Sequence, residues 1–199
     1  HHGDEHRVVL AVQHGFHVFD TLYGVDGRMQ AKPQMAEGHQ ISADGLVWTI
    51  RLREGLQFHD GVPVRSRDCA ASIERWAKRD TFGRVYQTAV AAYETPDDRT
   101  LVIRLKRPFP RLADALAKPH SQPAFIMPER IVRAAGDGAI TEVTGSGPYR
   151  FLANEWSSGN LIAYGRFDGY KPRNEAPEWT SGAKVAHFER VEWRVIADK

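Results

Sequence analysis

One cysteine, Cys69, stands in 199 residues, so no internal disulfide can staple this chain and cysteine usage leaves its redox compartment open. No stretch approaches the roughly 18 consecutive apolar residues that a membrane-crossing helix needs. An excess of charge of one sign is missing as well. A net charge of +2 gives no electrostatic reason to expect nucleic acid or an anionic membrane as partner. There is no Gly-x-Ser-x-Gly elbow, no His-Glu-x-x-His and no glycine-rich loop ending in Lys-Ser/Thr, which removes the motif-based routes to a serine hydrolase, a zinc protease and a P-loop nucleotide enzyme. No internal repeat or low-complexity tract appears. What remains is ordinary globular material: 42% hydrophobic and 26% charged residues argue against disorder, and the length suffices for one domain or two small ones with a core.

The clearest local signal is Leu46 to Val64. Leu46, Trp48, Ile50 and Leu52 alternate with Val47, Thr49, Arg51 and Arg53, a period of two that predicts a strand with one apolar face. Gly55 breaks the run, and Phe58-His59-Asp60-Gly61 reads as a turn leading to Pro63-Val64. A helix is predicted from about Arg67 with Ser66 as N-cap, its buried stripe formed by Cys69, Ala70, Ile73, Trp76 and Ala77. Val90–Glu94 and Leu101–Leu105, joined through Pro96-Asp97-Asp98, predict a hairpin. Pro110–Lys118 and Pro128–Ala135 read as short helices. Tyr149–Asn154 and Asn160–Tyr164 predict a second hairpin through Ser157-Ser158-Gly159, and Val191, Trp193 and Val195 a last strand. Trp48, Ile50, Leu52, Ile73, Trp76, Leu101, Ile103 and Leu105 are expected to share one core.

These segments carry a resemblance. LREGLQFHDGVPV over Leu52–Val64, followed by a helix opening on Asp68, resembles the signature of the family 5 extracellular solute-binding proteins, the dipeptide, oligopeptide and nickel receptors of ABC importers. His14–Gly24 (HGFHVFDTLYG) is similar to that family's early helix, and Gln34–Glu37 with Asp44-Gly45-Leu46 to the segment after it. Ser72–Asp80, Phe125–Glu129, Gly145–Phe151 (GSGPYRF) and Tyr170–Arg173 continue the series in family order, so the likeness covers residues 14 to 198. It implies an α/β fold with mixed sheets, like a class II periplasmic binding protein. It also implies a periplasmic or extracellular location, a small-molecule or peptide ligand, an ABC permease as partner and no cofactor. Because family members are well over twice as long, the chain is expected to be the first of two lobes. Residues 1–23 would be its opening piece (His1 and His2 a tag remnant), 24–143 a subdomain and 144–199 the sheet segment leading to the second lobe, with any signal peptide before the present start.

The cleft wall is expected beside His14, Gly15 and Phe16, the Ser121-Gln122 segment and Ser146; these are positional assignments that follow from the resemblance. Two other classes stay open beside it. His59 and Asp60 with Ser66 nearby contain the residue types of a hydrolytic triad, although adjacent residues on one turn point apart, and hydrogen bonding within the turn is the simpler role. His14 and His17, three apart, are the seed of a metal site that nickel receptors of the family make worth weighing; two histidines on an exposed helix face are the simpler reading. Gly145-Ser146-Gly147-Pro148 is expected to be a tight turn, with Gly147 exploiting a positive φ and Pro148 fixing the next residue. The basic residues around Arg75, Lys78 and Arg79 read as a solvated helix face with a Glu74–Lys78 pair.

Overall fold

The computed structural model describes residues 14–196; His1, His2 and His6, and the terminal Ala197-Asp198-Lys199, lie outside the described residues. A helix, α1, covers residues 14–18 and gives way at once to strand β1 (Tyr23–Val25), so the run expected as one helix to Gly24 is helical only at its start. The physical reason is Asp20 and Thr21. The Thr21 hydroxyl donates to Tyr23 O (2.7 Å) and the Asp20 carboxylate takes the Thr21 amide (2.9 Å), local bonds that compete with helix continuation.

β1 pairs antiparallel with β2 (Ala31–Pro33), and β3 (Ala36–Ile41) pairs with β4 (Val47–Leu52), the strand that the alternation predicts. Trp48, Ile50 and Leu52 are buried and Arg51 is exposed, as a period of two requires. Next come α2 (Ser66–Arg79), α3 (Thr81–Ala89), and the hairpin β5 (Val90–Asp97) with β6 (Thr100–Leu105). The result is a four-stranded, fully antiparallel sheet of order β3-β4-β6-β5. Two short helices follow, α4 (Leu112–Ala117) and α5 (Glu129–Ala135). After them β7 (Tyr149–Phe151), a 3₁₀ turn (Ala153–Glu155), β8 (Leu161–Arg166) and β9 (Arg190–Arg194) form a three-stranded antiparallel sheet of order β7-β8-β9. Val191 and Trp193 of β9 pack inward, whereas Val195 lies beyond the strand and is exposed.

The N-cap of α2 is Arg65 rather than Ser66, whose hydroxyl is turned to Asp97 O. Asp68 does the capping. One carboxylate oxygen accepts the Arg65 amide at 2.8 Å, and the other accepts the Glu129 amide at the start of α5 at 2.7 Å. Helix α3 has no counterpart among the elements expected from the sequence; it starts on Asp80, whose carboxylate accepts the Gly83 amide at 2.8 Å. Exposed Glu74 and Lys78 do pair, at 3.4 Å, on the expected solvated face, and half-buried Arg75 and exposed Arg79 on the same face also donate to the carbonyls of Gly136, Asp137 and Gly138, which fastens α2 to the segment after α5.

Two clusters of buried apolar residues result. The larger contains all eight residues expected to share a core, with Trp76 sending its indole N–H to Gln122 O at 2.7 Å. The smaller joins Val18 and Phe19, at the end of α1, to Tyr149 and Tyr164 of the three-stranded sheet, with Phe125 and Trp193 against them.

Candidate functional site

Helix α1 is held by a backbone-to-backbone contact that tolerates no side chain. The Gly147 amide donates to Val18 O at 2.8 Å, and a Cβ placed on Gly145 would stand 2.0 Å from the same oxygen. A Cβ on Gly147 would lie 2.7 Å from His17 O. Residues 147 and 148 form the expected bend before β7, but Gly147 is not among the positive-φ glycines; glycine is needed there for close approach, not for backbone conformation. Ser146, between Gly145 and Gly147, is buried, and its hydroxyl has no partner among the described residues.

His59 grips the other side of this bend. Its amide donates to Gly145 O at 2.8 Å, its Nε2 donates to Gly147 O at 3.0 Å, and its Nδ1 accepts the Gly145 amide at 3.4 Å. That pattern uses the neutral ring protonated on Nε2. Asp60 accepts from Val62 N and pairs with Arg130 at 3.0 Å, and Ser66 is bound to Asp97 O. The three triad-like residues are thus spent on three different contacts, and His59 clamps a turn 86–88 residues away instead of serving its own.

Burial, aided by the Arg150 charge, pushes the His59 pKa down to about 4, against the opposing pull of Gly147 O and Asp60. Because the unfolded chain takes up this proton near its ordinary value of about 6.5, stability falls as pH drops from about 6.5 to about 4. The loss should reach roughly 3 kcal/mol from this group. Denaturant titrations of the wild type and of His59→Asn across that window should differ in pH slope; equal slopes would show that the ring is not held neutral.

His14 and His17 do not sit on an exposed face. Both are half-buried in aromatic surroundings: His14 Nδ1 is 2.7 Å from the Tyr164 hydroxyl with Phe151 edge-on to its ring, and His17 lies against Tyr149, Tyr164 and Trp193. Burial and the neighbouring His17 hold the His14 pKa below its usual value. Among the described residues no group of three or more His, Cys, Asp or Glu is placed to hold a metal ion.

Phe16 projects elsewhere. Its ring meets Phe125 edge-on at 5.0 Å, and the Lys184 ammonium stands 5.4 Å from its centre. Lys184 is bound at 2.7 Å to Asp20, a carboxylate only 1% exposed that also accepts the Tyr170 hydroxyl at 2.9 Å. Phe16, His17, Tyr149, Trp179, Lys184 and Trp193 line an open cavity of about 540 Å³. Trp179 is 67% exposed and carries a φ of +46°, a backbone state bulky residues rarely adopt. It is imposed by a turn tied to β1, in which Thr180 N donates to Val25 O (3.2 Å) and Val25 N to the Thr180 hydroxyl (2.9 Å).

Of the wall residues expected from the sequence, Phe16 lines this cavity. The loop of Ser121 and Gln122, both exposed, approaches it through an edge contact of His120 with Trp179 at 6.4 Å. His14 lines a separate cavity of about 710 Å³ with Phe151, Trp156 and Ile162. Gly15 is interior, packed under the Phe125 ring, and Ser146 is interior as well. Trp179, Lys184 and Trp193 are site residues that the sequence alone does not mark.

The profile described as bacterial extracellular solute-binding proteins, family 5 Middle, matches residues 30–199. The chain belongs to that family. It is 36% identical over 191 residues to a probable peptide ABC transporter periplasmic-binding protein, y4tO, of Sinorhizobium fredii, covering 95% of this chain and 35% of that one. It is 30% identical over 182 residues to the glutathione-binding protein GsiB of Salmonella typhi, covering 90% and 33%. Among solved structures, the periplasmic binding protein AgaA from A. tumefaciens R10, in complex with agropinic acid, superposes with a TM-score of 0.73 at 26% identity, over 93% of this chain and 35% of that one. The family 5 chain therefore spans about a third of the length of these relatives. The α/β fold with antiparallel sheets is the family's, and the family consists of binding proteins of transporters.

Proposed function

We propose that the protein carrying this sequence is the substrate-binding component of an ABC importer for peptides or related small polar solutes. It works in the periplasm or outside the cell and hands its ligand to a membrane permease. The observation that carries this is the family match over residues 30–199. In this reading the chain belongs to the first lobe, with 24–143 as one subdomain and 144–199, together with residues up to 23, as the segment bearing the ligand-facing wall. The cavity beside Phe16, with the Ser121-Gln122 loop at its rim, is that wall. His14 and Gly15 support it from behind, and Ser146 lies in the bend that holds α1. Ligand would be enclosed when a second lobe closes over the wall, its differential affinity for the closed state driving closure.

The 199-residue chain alone is expected to fold yet to bind no dipeptide or oligopeptide of a calorimetric panel at micromolar concentration, because one wall leaves most of a ligand in water while good sites bury about 70–90% of it. The two-lobed protein should bind a member of that panel, and Phe16→Ala should weaken it. Micromolar binding by the chain alone would place the recognition energy in this wall. Failure of every panel member with the two-lobed protein would overturn the peptide-class reading.

A further inference from the structure

We infer that Lys184 is a ligand-binding residue whose ammonium, held in place by Asp20, donates to a carboxylate oxygen of the solute while the solute's apolar part packs on the rings beside it. This rests on the reading of the Phe16 cavity as the binding wall.

Lys184 is held in place before any ligand arrives. Its side chain is 15% exposed and is fixed between Asp20 (2.7 Å) and the Phe16 ring, so much of the rotamer freedom that a surface lysine loses on binding is already lost here. Asp20 does not exhaust the donors of the ammonium. Its carboxylate is shared with the Thr21 amide at 2.9 Å and the Tyr170 hydroxyl at 2.9 Å, and lysine supplies one of three donors. An ammonium has three N–H groups. Among the described residues the other two find no oxygen acceptor, while the side chain lines the 540 Å³ cavity.

Charge selects the ligand. No Asp or Glu is among the described residues lining this cavity, and Lys184 is its one Lys or Arg. Phe16, Tyr149, Trp179 and Trp193 supply ring surface beside that charge. A carboxylate next to an apolar or aromatic group satisfies both; a neutral amide meets the rings equally well and gains less from the ammonium. Arg53 and Arg173, by contrast, are occupied by the backbone carbonyls of Gln34, Ala36 and Lys171.

The test uses the isotopically labelled chain and two probes at millimolar concentration, N-acetyl-L-phenylalanine and its amide, followed by NMR at the indole N–H groups of Trp179 and Trp193. The acid should saturate at a concentration at least about tenfold below the amide, the size expected of one charge-assisted hydrogen bond. Lys184→Met alone would strand a buried carboxylate, so the pair is removed together in Asp20→Asn/Lys184→Met. In that folded variant the preference for the acid should vanish while the residual shifts persist. Equal affinity for acid and amide in the wild type would overturn the role of Lys184 and leave the cavity as a site. A preference for the acid that survives in the double variant would overturn that role too. Absence of any indole shift with either probe would overturn the cavity reading itself, and this inference with it.

Discussion

Trp76→Ala should destabilise the chain by roughly 3–5 kcal/mol in chemical denaturation. The indole is 6% exposed and stands in the larger core, on the α2 face shared with Cys69, Ile73 and Ala77. Tyr86 of α3 packs against it at 6.0 Å between ring centres. Truncation leaves a cavity in that core. It also strands Gln122 O, which loses the indole N–H at 2.7 Å. Trp76→Phe fills most of the space and loses the hydrogen bond, so it should recover a large part of the loss. A change below about 1 kcal/mol for the alanine variant would mean that the indole does not join α2 to α3 and the loop before Pro123.

Gly145→Ala is expected to cost about 3 kcal/mol or more, although it adds one methyl group. The new carbon would sit 2.0 Å from Val18 O, 2.7 Å from Val18 C and 2.8 Å from the Phe19 ring, and two of those three atoms are backbone. Relief requires the 145–147 bend to leave α1, which breaks the Gly147–Val18 bond and loosens the His59 clamp. Gly27→Ala is the control: nothing lies within 4 Å of its added carbon, and its cost should stay within about 0.5 kcal/mol. Comparable losses for the two variants would show that close approach is not what glycine provides at 145.

The contrast between what can and cannot be read from the residues has physical causes. Strand β4 and the stripe of α2 are legible because a repeating pattern of burial over six or more residues is written directly into the order of side chains, and the β5–β6 hairpin because two β-prone runs flank turn-forming residues. Helix α3 is hidden because Gly83 looks like a break. Its lack of a side chain is what lets α3 lie on α2, since a Cβ there would stand 2.9 Å from Ala77 Cα. His14 and His17 at helical spacing signal a shared face, but only their distant partners Tyr164 and Trp193 make that face an interior one. His59 does stand on a turn, as the sequence suggests, but the turn its ring holds is another, reached only through the fold. Of the candidate wall, Phe16 is within reach of sequence reasoning because it lies in a run resembling the family's early helix. Trp179 and Lys184 lie in irregular backbone between β8 and β9, where no periodicity marks a side chain as facing inward or outward.

The distance along the chain between Asp20 and Lys184, 164 residues, has a consequence for biosynthesis. The strands β3 to β6 pair with one another within residues 36 to 105, and their sheet can assemble as soon as that stretch has left the ribosome. Asp20 cannot. At roughly 5–20 residues per second, its carboxylate waits about 10–30 s for the lysine that pairs with it. His14 waits nearly as long for Tyr164, 150 residues on. Closing loops of that length is the slow part of such a topology. The aromatic wall is therefore among the last features of the described residues to form, and during that interval Val18 and Phe19 lack the three-stranded sheet they pack against.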